Sequence, residues 1–235
     1  MNQAIITTKP AIVVIGGLVL NNEPLAMIKQ LSPDFRFIDI NSFSSPFSLD
    51  TITRQIDKML RIYCKPVILI GYSTGGLIAL NLTINAPDLV DKLILINSTP
   101  CFPDKDNWNG INLTDFRRLL DKLAKLSLRQ FKNHFCCLAT YPKVYQSEEQ
   151  SLWQSNDCTK ENLLQWLEII AATDLRGNLV RIPTPILYLY AEYDILVPKS
   201  NILVNRIVNQ FTLSNSSHAE LNASELIIYI KQFIQ

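Results

Sequence analysis

The sequence predicts an α/β domain: a mostly parallel sheet with helices on both faces and an inserted helical lid. Three observations predict it. Short β-branched apolar runs alternate with longer amphipathic ones, the pattern of strands joined by crossover helices. A serine stands between glycines in Gly71-Tyr72-Ser73-Thr74-Gly75, where one such run gives way to a helix. The alternation then lapses from about Thr99 to about Asn178, where only helical patterns occur. The core domain is therefore expected over 1–98 and 179–235, and the lid over 99–178.

The elements follow in order. Ala11–Ile15 reads as a first strand and Phe35–Asp39 as a second. Leu49–Tyr63 carries Ile52, Ile56, Met59 and Leu60 at helical spacing with charges between them. Pro66–Ile70 is a buried strand, and the helix after it runs over Leu77–Asn85. Leu93–Asn97 is the next strand. In the middle block, Asp115–Leu126, Leu128–Leu138, Glu148–Gln154 and Lys160–Ala172 read as helices. Pro185–Tyr190 resumes the sheet. Ile202–Asn209 reads as a short helix, Phe211–Leu213 as a short last strand and Ala223–Phe233 as the closing helix.

Composition narrows the function classes. The 235 residues carry 22 Lys+Arg against 21 Asp+Glu, so no global charge points to nucleic acid. No apolar run reaches the roughly 18 residues that span a bilayer. Ala11–Leu20 imitates a signal-peptide core, but only Lys9 precedes it as a positive charge and no small-residue cleavage site follows. A cytoplasmic protein is expected, with Cys64, Cys101, Cys136, Cys137 and Cys158 as reduced thiols. No C-x-x-C or His-rich cluster suggests a metal, and no cofactor is expected.

The serine motif carries the chemistry. A sharp strand-to-helix turn lifts the Ser73 hydroxyl out of the sheet, and the flanking glycines allow close backbone approach. The following helix aims its free N–H groups at the site, which suits a developing oxyanion. A serine nucleophile needs a base, and the chain has only two histidines. His134 lies mid-helix in the lid; His218 lies in the polar loop Ser214–Ala219, after the last strand. The order Ser, acid, His selects His218. Asp194, in the loop after Pro185–Tyr190 and within Asp194-Ile195-Leu196-Val197-Pro198, is favoured as the acid, with Glu192 as its competitor. The oxyanion donors are expected to be the N–H of Thr74 and that of Gly17 or Leu18, in the loop after the first strand.

These motifs resemble the α/β-hydrolase superfamily across essentially the whole chain. A narrower resemblance lies in Asn97-Ser98-Thr99-Pro100-Cys101-Phe102, in Asp106–Ile111 and in Thr173-Asp174-Leu175-Arg176. These segments look like the biotin-synthesis carboxylesterases that cleave the methyl ester of pimeloyl-acyl-carrier protein. The resemblance implies Ser73, Asp194 and His218 as the triad and a four-helix lid over an acyl tunnel. It implies substrate contacts at Tyr72 and along Phe135, Cys136, Cys137, Leu138 and Ala139. It implies an acyl-carrier protein as partner, docked at Arg118, Lys122, Arg129 and Lys132.

The chain departs from that pattern in two places. Ile15-Gly16-Gly17-Leu18 stands where the family has His-Gly-Trp-Gly, and Ser147, Glu148, Glu149 and Ser151 stand where lid arginines are expected. Between Arg117 and Lys143, however, lie Arg117, Arg118, Lys122, Lys125, Arg129, Lys132 and Lys143 against Asp121 alone. That stripe suits an acidic carrier protein, or it is a solvated helix face. The expected activity is hydrolysis of that methyl ester by a monomeric enzyme with no nucleic-acid or membrane partner. A general short-chain esterase or thioesterase shares the same triad. A weakly catalytic or non-catalytic binding protein on the same scaffold is the reading from another class.

Overall fold

The computed structural model describes residues 10–20, 23–44, 46–63, 65–106, 108–143, 158–199 and 208–235. Six strands form one sheet: β1 (Ile12–Ile15), β2 (Phe35–Ile38), β3 (Val67–Tyr72), β4 (Val90–Ile96), β5 (Ile186–Ala191) and β6 (Val208–Leu213). Their order is β2-β1-β3-β4-β5-β6, and every pairing is parallel. β3 and β5 are buried at every residue, as befits strands covered on both faces. The edge strands β2 and β6 instead alternate in exposure.

Among the described residues six α-helices accompany the sheet: α1 (Leu49–Leu60), α2 (Thr74–Asn85), α3 (Leu113–Lys125), α4 (Leu128–Thr140), α5 (Lys160–Ala172) and α6 (Ala223–Ile234). α1 starts on a reciprocal cap between Ser48 and Thr51, and its apolar stripe Ile52, Ile56, Leu60 is buried. α2 is buried from Thr74 to Thr83, so it is a central helix with no solvent face. Among the described residues no helix is long and apolar enough to cross a membrane.

The strand order places the site. β1 leads outward to β2, and the chain then returns to lay β3 on the other side of β1. This is the point where the winding reverses, and the carboxyl ends of β1 and β3 open a crevice there. The loop Gly16–Leu18 leaves β1 at that end, and Ser73 leaves β3 beside it.

Between β4 and β5, which pair directly, the chain inserts α3, α4 and α5. The entry and exit of this insertion are pinned together. Leu175 N–H donates to Pro100 C=O at 2.9 Å, and Cys101 bridges Asp174. Arg176 binds the Asp174 carboxylate with two nitrogens, at 2.9 and 2.7 Å, and donates to Lys105 C=O at 3.0 Å.

Two expectations for the last part of the sheet change. The last strand is longer than Phe211–Leu213, since β6 begins at Val208. Val208 and Asn209 are thus extended and not helical, because they continue the ladder on Ile186 and Leu187. Residues 202–207 of the expected Ile202–Asn209 helix, the expected helix Glu148–Gln154, Lys9, Cys64, Ser147, Glu148, Glu149 and Ser151 lie outside the described residues. Cys101, Cys136, Cys137 and Cys158 are free thiols.

Candidate active site

Ser73 sits between β3 and α2 at φ 54°, ψ −125°, a conformation that costs a non-glycine residue energy. Its neighbours hold it there. Ser73 N–H donates to Ile96 C=O at 2.9 Å, and the Ser98 hydroxyl donates to Ser73 C=O at 2.7 Å. Gly75 lets α2 approach the loop after β1: a Cβ there would lie 2.3 Å from both Gly16 O and Ile15 O. The turn therefore brings Ser73, the start of α2 and the Gly16–Leu18 loop to one place.

His218 arrives from the loop between β6 and α6. Its Nε2 lies 3.0 Å from Ser73 Oγ, and its Nδ1 lies 2.7 Å from Asp194 Oδ2. The side chains of His218 and Asp194 are each 1% exposed, so this contact is dry. A carboxylate only accepts, so Nδ1 carries the proton and Nε2 is left to accept from the serine hydroxyl. Asp194 is oriented in turn: its Oδ1 accepts from Leu196 N–H and Val197 N–H, both at 2.9 Å. The competing carboxylate, Glu192, faces elsewhere and accepts from Asn215 N–H at 2.9 Å. His134 lies 3.5 Å from Lys122 Nζ on the insertion, and burial followed by the Lys122 charge lowers its pKa.

A small cavity of about 40 Å³ touches Ser73, Thr74, Leu18, Phe135, Leu196 and His218. It shares Ile111, Phe116, Leu119 and Leu196 with a cavity of about 390 Å³ under the insertion. The far wall of this second cavity carries Asp115, Arg118, Lys122, His134 and Leu138. The lining is thus mainly apolar near the serine, and the larger cavity adds Lys122 and the Arg118–Asp115 ion pair. A cavity of about 480 Å³ lies at Ile12 and Ile68, toward the amino ends of β1 and β3, away from these groups.

The structure brings together Ser73, His218, Asp194, Thr74 and Leu18. Gly17 lies against the same serine, where a Cβ would be 3.1 Å from Ser73 Cβ. Asn41 holds this loop: its amide donates to Gly17 C=O at 3.1 Å and its oxygen accepts from Val19 N–H at 3.0 Å.

Three expected residues stand elsewhere. Tyr72 is completely buried, and its hydroxyl reaches His218 C=O at 2.5 Å, not the cavity. On α4 the buried stripe is Phe131, Lys132, Phe135, Cys136, Ala139 and Thr140. That phase turns Cys137 out to solvent. The same phase buries Lys132, only 5% exposed, near enough to Cys158 that its charge partly offsets the burial, which still leaves the thiol pKa raised to about 11. Lys132 is therefore not a surface docking residue, whereas Arg118, Lys122 and Arg129 are exposed. Cys136 is buried, and Ala139 C=O accepts from Ala219 N–H at 2.8 Å, tying α4 to the histidine loop. Sequence reasoning counted Asn97 and Ser98 in a segment of family resemblance but gave them no role at the site; the signals were that resemblance and a polar Asn-Ser-Thr run closing an apolar strand.

The family described as alpha/beta hydrolase fold matches residues 30–218. The chain belongs to this family. The α/β hydrolase is 30% identical over 207 residues to the pimeloyl-[acyl-carrier protein] methyl ester esterase of Vibrio campbellii, covering 82% of this chain and 80% of that one. It is 29% identical to the protein of the same name from Pectobacterium carotovorum, covering 74% and 71%. Among solved structures, an esterase from Exiguobacterium antarcticum superposes with a TM-score of 0.79 at 20% identity, covering 95% of this chain and 92% of that one. A bromoperoxidase from Bacillus anthracis superposes with a TM-score of 0.78 at 16% identity, covering 97% and 91%. At these identities, the α/β hydrolase shares the fold of both structures.

Proposed function

We propose that this chain is a serine carboxylesterase that hydrolyses the methyl ester of pimeloyl-acyl-carrier protein, releasing methanol, in biotin synthesis. That it is a carboxylic ester hydrolase rests on its family and on the esterases among its relatives. The observation that carries the reaction is His218 standing between Ser73 Oγ and Asp194 Oδ2 in a dry contact. Ser73 Oγ attacks the ester carbonyl while His218 Nε2 takes its proton. The oxyanion rests on the N–H of Thr74 and that of Gly17 or Leu18. His218 then gives its proton to departing methoxide, takes one from the water that attacks the acyl-enzyme, and returns it to Ser73 Oγ as the acyl C–O bond breaks and the acid leaves. Asp194 fixes the tautomer throughout and balances the imidazolium charge. These steps call for no metal or organic cofactor.

The finer substrate reading rests on the relatives' names and on the lining of the two cavities. Residues 99–178 act as a lid over a core of 1–98 and 179–235. The acyl chain lies along Phe116, Leu119 and Phe135, and the carrier docks near Arg118, Lys122 and Arg129. The protein works as a cytoplasmic monomer. Hydrolysis of the carrier-bound methyl ester should exceed that of free short esters in kcat/KM, and the gene should restore growth to a biotin-requiring strain that lacks the methyl esterase. Turnover of free esters alone, with no growth, would defeat this substrate assignment.

The small volume at Ser73, about 40 Å³, favours a second reading, in which short free acyl esters are the substrates. The same comparison of substrates separates the two.

A further inference from the structure

We propose that Tyr72 and Asn97 are positioning residues, which set His218 between Ser73 and Asp194 by donating two hydrogen bonds to its main-chain carbonyl. The inference rests on the reading of Ser73, His218 and Asp194 as the acyl-transfer machinery.

The His218 loop follows β6 and has no regular backbone pattern to fix it, so its position must come from specific contacts. Two buried donors converge on one oxygen. The Tyr72 hydroxyl lies 2.5 Å from His218 C=O, and Asn97 Nδ2 lies 3.0 Å from it. A carbonyl has two lone pairs, and both are used. Asn97 Nδ2 also reaches Ser217 C=O at 3.3 Å, gripping the residue before the histidine.

The two donors come from the elements that carry the other members of the triad. Tyr72 is the last residue of β3 and precedes Ser73 directly. Asn97 follows β4; its side-chain oxygen accepts from Ala191 N–H at 2.8 Å, and its own N–H donates to Leu189 C=O at 2.8 Å. Ala191 ends β5, the strand that leads into Asp194. One side chain thus joins the histidine loop to the serine's strand, and the other joins it to the aspartate's strand.

The chemistry of each donor suits the task. Burial, then the nearby Asp194 carboxylate, hold the Tyr72 phenol well above its usual pKa. It therefore keeps its proton and can donate. Its ring lies 5.4 Å from the imidazole, centroid to centroid, so the contact also packs the histidine. Asn97 adopts φ 47°, a left-handed conformation that Asn tolerates better than most residues. That backbone lets its amide serve β5 and the loop together.

The placement predicts a particular non-additivity. Removing either donor leaves the other on the same carbonyl, so each single change lowers kcat by roughly tenfold or less. Removing both leaves the His218 carbonyl without a donor and the loop held only by its flanking bonds, such as Ala219 N–H to Ala139 C=O and Tyr193 N–H to Ser216 C=O; a displacement of the imidazole approaching 1 Å costs on the order of 100-fold. The test compares wild type, Tyr72→Phe, Asn97→Gly, the double variant and Ser73→Ala. The readouts are kcat and KM for p-nitrophenyl butyrate, thermal unfolding, and the low-field proton resonance of the His218 Nδ1–H.

The expected result is a fall in kcat at nearly constant KM, with the double variant losing more than the product of the singles. The Nδ1–H resonance should broaden or vanish in the double variant at temperatures where it remains folded. Asn97→Gly accommodates the positive φ. If it or the double variant does not fold, Tyr72→Phe decides alone, since it removes one hydroxyl and leaves the ring. Wild-type kcat and an unchanged resonance in Tyr72→Phe, together with a double variant that equals the product of the singles or fails to fold, would overturn the proposal. Wild-type activity in Ser73→Ala would instead overturn the triad reading beneath it.

Discussion

Replacing Asp194 by Asn tests the assignment of the acid more sharply than deleting it. The two arrangements open to the new amide differ in cost. If its oxygen keeps the place of Oδ1, it retains the bonds from Leu196 N–H and Val197 N–H, both 2.9 Å in the native protein. The NH₂ group then faces His218 Nδ1 across 2.7 Å, donor against donor. If the amide flips, two buried N–H groups lose their acceptor, at about 1–3 kcal/mol each. The first arrangement therefore prevails, and the imidazole must take the tautomer with its proton on Nε2. That nitrogen then faces the serine hydroxyl as a donor and cannot accept its proton. A tautomer error of this kind costs on the order of 10⁴-fold in kcat, or about 5 kcal/mol in barrier height. Folding should survive, because packing and the two backbone bonds remain.

The assay is steady-state hydrolysis of p-nitrophenyl butyrate by Asp194→Asn beside Glu192→Gln. The Glu192 change lies on an exposed side chain and should cost less than about threefold. A loss below tenfold in Asp194→Asn, or a larger loss in Glu192→Gln, would refute the reasoning.

Three further outcomes follow from the same geometry. Gly75→Ala places a Cβ 2.3 Å from two main-chain oxygens, so the Gly16–Leu18 loop must retreat by about 1 Å; kcat/KM should fall on the order of 100-fold, with about 1–3 kcal/mol lost in urea unfolding. At the base of the insertion, the Arg176 guanidinium lowers the Asp174 carboxyl from its ordinary 3.8 to about 2. A depressed carboxyl stabilises fully above its unfolded value and loses that contribution as pH falls through about 2. Arg176→Met should therefore cost on the order of 1 kcal/mol at pH 6, after solvent screening, and progressively less toward pH 2; an equal cost at both pH values would contradict the pairing. Reversing charge at Arg118 and Lys122 together should raise KM more for carrier-bound ester than for free ester, by about tenfold at low salt and less at high salt. Equal changes for both substrates would remove these residues from the docking surface.

Much of this arrangement was legible in the sequence because it follows from local rules. An apolar run, a Gly-flanked serine and a helix specify the elbow, and two histidines in a chain leave little choice of base. The order Ser73, Asp194, His218 mirrors the order in which β3, β5 and the loop after β6 deliver their carboxyl ends to one edge of the sheet. What was not legible depends on contacts between distant segments. The phase of α4 about its axis decides that Lys132 is buried and Cys137 exposed, and that phase is set by tertiary packing. Tyr72 reads as part of the elbow pattern; only the fold brings it to a carbonyl 146 residues later. Val208 and Asn209 follow a helix-like run, yet pairing with β5 draws them into the sheet.

The central claim is that Ser73 is the nucleophile of acyl transfer, and covalent capture addresses it directly. A fluorophosphonate probe should add one equivalent to the wild-type protein, with the adduct on the peptide containing Ser73, and none to Ser73→Ala. Absence of an adduct on the folded wild type, or an adduct on any other residue, would contradict the account.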